Sequence, residues 1–191
     1  MEWHKKLFLI YKVSNRGIEQ KPFWKKEGEL TSWVNIKAYK IKSTLHGFRG
    51  IPKPLFYYTG YFVTTRCEVI VIRYIHSPKE GYLFPLKERL LKEAIDKIIQ
   101  DEYVLFPLYK GVVRLKKEVL EINGKTIHDK FSVNLIKVLP YHDGIKIMDE
   151  HGKILFKTKR SFYNRDILID AVDFIRKKLE CVNGVKPSNF I

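Results

Sequence analysis

Gly144-Ile145-Lys146-Ile147-Met148-Asp149-Glu150-His151-Gly152-Lys153-Ile154-Leu155-Phe156-Lys157-Thr158-Lys159 decides the fold class. Ile145 and Ile147 alternate with Lys146, the period of a half-buried strand. Asp149–Gly152 has turn composition, and Ile154 with Phe156 starts a second alternating run. A helix over about Arg165–Glu180 follows, with Ile167, Leu168, Ala171, Val172, Ile175 and Leu179 at helical spacing. The same unit occurs earlier. Tyr57 to Ile75 reads as a hairpin, and Leu86–Gln100 as a helix carrying Leu90, Leu91, Ala94, Ile95, Ile98 and Ile99. A hairpin that runs into an amphipathic helix, twice, predicts an α+β chain that is mostly β. It predicts two small β-rich domains, barrel or sandwich, each closed by a C-terminal amphipathic helix. Residues 1–102 form the basic N-terminal domain in this reading and 103–191 the C-terminal one, with the boundary at Asp101–Pro107.

The remaining elements follow outward from this pair. Leu7–Val13 is a strand ended by the turn Ser14-Asn15-Arg16-Gly17. Ile18–Gly28 has loop composition. Along Trp33–Lys42 the apolar phase slips after Ala38, which predicts a β-bulge. Thr44–Pro54 is a loop, Phe56–Thr64 and Glu68–Ile75 are strands around Thr65-Arg66-Cys67, and a helix follows Pro85. Val69–Ile72 is apolar at every position, which predicts a central strand covered on both faces. Tyr109–Leu115 and Lys117–Ile122 are strands, with Asn123-Gly124 as the hairpin turn. Phe131–Leu139 is one further strand, and Asn164 is the expected N-cap of the last helix.

The 191 residues, 45% of them hydrophobic, are enough to build cores. The chain carries 36 Lys and Arg against 21 Asp and Glu, a net charge of +15 that attracts polyanions. Residues 1–100 hold 19 basic and 9 acidic residues, and residues 101–191 hold 17 and 12, so the N-terminal half is the more cationic. Richness in Lys, Ile and Tyr with only two Met suits a thermophile. Cys67 and Cys181 are too few for a disulfide framework. The expectation is a reducing, cytoplasmic compartment. No apolar run approaches the length of a membrane span, and Leu7–Tyr11 is too short for a signal-peptide core.

From about Leu108 to Glu180 the order of elements resembles the pleckstrin-homology/GRAM-like barrel superfamily. Gly111-Val112-Val113-Arg114-Leu115, Asp143–Ile147, Gly152–Phe156 and the helix Asp166–Leu179 carry the resemblance. It implies an open strand barrel plugged by its last helix, and a module that binds proteins, phosphoinositides or nucleic-acid machinery. The basic cluster of lipid-binding members would fall near Lys116 and Lys117 or at Asn123–Lys125, a weak match. A divergent copy in the first half would have to carry a long insertion at Ile18–Trp33, which fits that pattern poorly.

Three groups bear on chemistry. Lys21, Phe23, Trp24, Lys25, Lys26, Trp33, Lys37, Tyr39, Lys40 and Lys42 combine cations with aromatic rings, the pairing that binds single-stranded nucleic acid. The alternative reading makes Trp33 and Tyr39 core and the lysines a solvated edge. His46-Gly47-Phe48-Arg49-Gly50, with Lys53, has glycines that admit a phosphate but not the spacing of a Walker loop. Arg66 and Arg73 extend the basic set. His128, Asp129, His142, Asp143, Asp149, Glu150 and His151 contain metal-ligand types, yet each cluster falls where turn chemistry alone demands Asp and Gly. Cys67 reads as a buried structural cysteine. No nucleophile elbow, zinc-protease or dinucleotide fingerprint is present. The expected function is non-enzymatic, cofactor-free and metal-free binding to DNA, RNA or a nucleoprotein assembly, with a protein partner also allowed. The alternatives are a protein- or anionic-lipid-interaction module, and a metal-dependent nuclease using Asp143, Asp149 and Glu150.

Overall fold

The computed structural model describes residues 9–46, 55–74, 80–124 and 128–182. It is an α+β structure, mostly β, with four small antiparallel sheets and two long helices. Among the described residues no sheet closes into a barrel. Two compact units divide at Arg89/Leu90, inside the first long helix, whereas the composition boundary lies after it.

In the first unit, β1 (Leu9–Ser14), β2 (Gly17–Pro22) and β3 (Glu29–Ser32) form one meander. A 3₁₀ turn (Trp33–Asn35) leads into a second meander of β4 (Ile36–His46), β5 (Leu55–Thr64) and β6 (Val69–Tyr74). Helix α1 (Glu80–Ile99) begins in this unit and ends in the next. In the second unit, β7 (Val104–Leu108), β8 (Gly111–Leu115), β9 (Val119–Gly124) and β10 (His128–Ser132) form a four-stranded sheet in sequential order. A second 3₁₀ turn (Val133–Leu135) leads to β11 (Ile136–Tyr141), β12 (Gly144–Asp149) and β13 (Ile154–Thr158). Helix α2 (Arg165–Val182) packs on β11 and on that turn.

The two units repeat each other at the level of single hydrogen bonds. The 3₁₀ turns start with Trp33 N donating to Arg16 O and with Val133 N donating to Glu118 O. Ile36 faces Thr64 and Ile136 faces Asp149 in register. Both hairpin turns close identically. Thr64 N donates to Glu68 O at 2.9 Å, and Asp149 N to Lys153 O at 3.0 Å. The Glu68 and Lys153 amides return bonds to the side chains of Thr64 (3.1 Å) and Asp149 (2.8 Å). The fourth turn residue is left-handed in both, Cys67 at φ 64° and Gly152 at φ 82°. Core positions correspond as well: Ile18 with Leu120, Trp33 with Val133, Tyr39 with Val138, and Phe62 with Ile147, all buried.

Several sequence expectations change for identifiable reasons. Ile18–Trp33 is not an insertion or a loop, because Gly17–Pro22 and Glu29–Ser32 pair as strands; polar alternation concealed them. β6 is an edge of its three-stranded sheet, with Val69 52% and Val71 42% exposed, so its apolar run does not mark a central strand. Cys67 is exposed at a turn rather than buried between strands. Asn123 pairs with His128, so Asn123-Gly124 ends β9 instead of forming a two-residue turn. Phe131–Leu139 is broken by the second 3₁₀ turn. α1 starts at Glu80, so Pro85 lies inside it, past the first turn, and removes the bond its amide would have made to the Gly81 carbonyl. A bulge is present, but between Ile36 and Ala38, before the slip that the sequence places after Ala38. Asn164 does precede α2, but in a left-handed conformation, φ 57°.

Gly17, φ 148°, lies where a Cβ would approach Thr31 O to 2.2 Å and the Ser32 Cα to 2.9 Å, backbone atoms of β3 that cannot give way as a flexible side chain would. Gly17→Ala is expected to cost about 2 kcal/mol or more. Thr64→Ala and Asp149→Ala are each expected to cost about 1 kcal/mol through the lost turn bond, while Glu150→Ala stays within about 0.5 kcal/mol of the parent. Chemical denaturation of the four variants checks this; a Glu150 cost equal to that of Asp149 would contradict it.

Candidate nucleic-acid interface

The β2–β3 connection brings together one end of the basic-aromatic segment. Lys25 N donates to Pro22 O at 3.0 Å, closing a tight turn at the end of β2. Gly28 allows the chain to return, since a Cβ there would meet Gln20 O at 2.9 Å. The turn carries Phe23 and Trp24, 60% and 59% exposed, with ring centroids 5.2 Å apart and planes at 83°. Lys21 Nζ donates to Lys26 O at 3.2 Å, which sets one cation beside the turn, and Lys25 and Lys26 are exposed on it. Glu27 and Glu29 follow on the descending side. The tip therefore offers two aromatic rings next to three ammonium groups, a surface suited to stacking with bases while contacting phosphates.

Trp33 and Tyr39 do not join this surface. Trp33 is 4% exposed, and its indole N–H donates to Ser14 O at 3.0 Å. Its ring lies 5.8 Å from that of Phe62, and Tyr39, 2% exposed, stacks on Phe62 at 6.4 Å. The physical reason is the combination of 3₁₀ turn and bulge. Together they rotate the chain, so that Trp33, Ile36 and Tyr39 point inward while Lys37, Lys40 and Lys42 do not.

Lys40 and Lys42 share the outer face of the β4–β6 sheet. Lys40 pairs with Tyr61 and Lys42 with Thr59; across β5 these face Val71 and Arg73 in β6. Lys40 Nζ sits 4.7 Å from the centroid of the Tyr61 ring, a cation–π contact. Desolvation, and then the charge of Lys42, push the Lys40 ammonium below its ordinary ionisation range. Lys37 lies at the turn end of this sheet, its Nζ 3.0 Å from Cys67 Sγ, beside the exposed Arg66. Arg73 occupies its register position in β6, and Arg49 and Lys53 lie outside the described residues.

Of the carboxylate and histidine clusters, those at 142–143 and 149–151 lie at turns, whereas His128 and Asp129 open β10, paired with Asn123 and Ile122, and are not the turn residues that the sequence predicts. Asp149 Oδ1 accepts from the amides of His151 (3.0 Å) and Lys153 (2.8 Å), and His142 holds the left-handed position before β12. Among the described residues no three His, Cys, Asp or Glu side chains converge as metal ligands. Among them, too, no helix is long and apolar enough to cross a membrane. Sequence reasoning missed one further basic surface, the outer face of β11–β13 with Lys137, Lys146 and Lys157. Its signal was present in the alternation of Ile145-Lys146-Ile147. No protein-family model matches the chain, and no curated protein matches it.

Lys40 loses its proton more readily in the folded chain than in the unfolded one, so its charge opposes folding at neutral pH. That penalty is complete below the folded pKa and disappears as pH rises through the ordinary value of 10.5. Lys40→Met is therefore expected to raise the thermal midpoint at pH 7, with the gain shrinking as pH approaches 10.5. A gain that grows with pH would contradict this.

Proposed function

We propose that this chain is a non-enzymatic nucleic-acid-binding protein, acting on DNA or RNA alone or within a nucleoprotein assembly, in the cytoplasm of a thermophile. The observation that carries the reading is the β2–β3 tip, where Phe23 and Trp24 are exposed beside Lys21, Lys25 and Lys26. The lysines neutralise phosphates and release counterions, and the rings supply stacking area. Lys37, Lys40, Lys42 and Arg66 add cationic surface in the same unit, consistent with the charge excess of the N-terminal half. At Lys40 a nearby phosphate would offset the desolvation and the Lys42 repulsion that lower its pKa.

The scaffold is read as a pair of pleckstrin-homology/GRAM-like modules. Four strands, then three, then a helix in residues 104–182 support this, and three, three and a helix along residues 9–99 support a second copy. The second reading is an interaction module for anionic lipid or protein. The Phe23–Trp24 pair favours it, since exposed aromatics flanked by lysines also suit a membrane interface.

Fluorescence anisotropy with labelled single-stranded DNA, duplex DNA and RNA across a salt series tests the proposal. Single strands are expected to bind best, with affinity falling steeply with salt. Trp24→Ala is expected to weaken binding by about tenfold, the loss of one stacked base. Changing Lys21, Lys25 and Lys26 together to Gln should lower the salt slope by about 2. Binding to anionic vesicles with no binding to any oligonucleotide at low salt would overturn the proposal in favour of the second reading.

A further inference from the structure

The outer face of the β11–β13 sheet is a checkerboard of cations and apolar groups. Two register rows cross it: Leu139, Lys146 and Lys157, then Lys137, Met148 and Ile154. None of the six positions is acidic or aromatic. The opposite face carries Val138, Ile145 and Ile147, all fully buried, which fixes the six on the outside. Lys146 and Lys157 stand directly opposite each other on neighbouring strands, a like-charge pair that destabilises a sheet. Ile154, in the neighbouring row, is 48% exposed and Leu139, on the far side of Lys146, is 36% exposed. β13 pairs only with β12 among the described residues, and its flanks add Lys153, Lys159 and Arg160, all exposed.

Lysines on an edge strand normally discourage pairing with another strand. They do so against neutral or basic strands and favour an acidic one. The apolar groups interleaved with the lysines supply contact area that phosphates cannot use, and Tyr141, the aromatic ring next along this face of β11, is half-buried and already engaged by Lys159 (6.0 Å) and by the His142 ring (4.7 Å). We propose that the β13 edge and this face bind an extended acidic segment of a partner protein. The segment would add as a further strand, its main chain bonding to β13, its carboxylates beside Lys157 and Lys146 and its apolar side chains beside Ile154. This surface lies wholly in the second unit and does not rest on the nucleic-acid reading of the first.

The test uses the full chain and a short labelled peptide of alternating Glu and Val or Leu, followed by anisotropy. Binding is expected, and Lys146→Glu with Lys157→Glu should weaken it by about tenfold or more. Alternate N-methylation of the peptide backbone should abolish it, and Ile154→Ser should weaken it. Lys146→Gln with Lys157→Gln replaces the first variant if that one does not fold, as judged by circular dichroism. No binding by the parent chain, equal binding by the charge variants, or full binding by the N-methylated peptide would each overturn the proposal. So would loss of oligonucleotide binding in the charge variants with peptide binding intact, because the face would then belong to nucleic acid.

Discussion

One backbone hydrogen bond organises each unit. The first residue of a 3₁₀ turn donates its amide to the carbonyl of the preceding strand turn, Trp33 to Arg16 in one unit and Val133 to Glu118 in the other. A chain leaving one meander must change direction to start the next, and a short 3₁₀ turn does this while pairing its own polar groups. Because the first residue of that turn is anchored, its side chain is driven into the core. Everything after it inherits the phase. Ile36 and Tyr39 point inward, Lys40 and Lys42 outward, and the same logic places Ile136 and Val138 against Lys137 and Leu139.

The surface chemistry follows from that phase. In the first unit the anchored Trp33 and the bulge after Ile36 take two aromatic residues out of contention for a ligand, leaving Phe23 and Trp24 as the exposed pair. Arg89, on α1, reinforces the pivot by donating to the carbonyls of Trp33 and Ile36. The aromatic–cationic tip and the lysine-bearing face therefore belong to different sheets of one unit, although their residues lie close together in sequence. Charge alone would have pooled them.

The sequence made the repeated hairpin and helix legible because Ile145 and Ile147 alternate with Lys146 and because both helices carry strong apolar stripes, but the reading that Ile154 and Phe156 both face inward fails, since the register shift at Ile147/Met148 leaves Ile154 outside opposite Met148 while Phe156 pairs with Ile147. It also revealed a bulge, as a phase slip along Trp33–Lys42, but not its position. It concealed β2 and β3, which are mostly polar, whose Leu30 is exposed and whose single buried side chain, Ile18, offers no period. Val69–Ile72 misled in the opposite direction. A run apolar at every position implies cover on both faces, yet β6 is an edge and leaves Val69 and Val71 exposed. At the candidate site the residue types were legible, but which rings are exposed was not, since burial of Trp33 depends on a tertiary bond to Ser14.

The most direct measurement follows the indole N–H resonances of the ¹⁵N-labelled protein during titration with a single-stranded oligonucleotide. The account predicts that the Trp24 signal shifts progressively, while that of Trp33, whose N–H is held by Ser14, stays in place. An unmoved Trp24 signal in the presence of bound oligonucleotide would contradict a stacking role for the β2–β3 tip and with it the central claim.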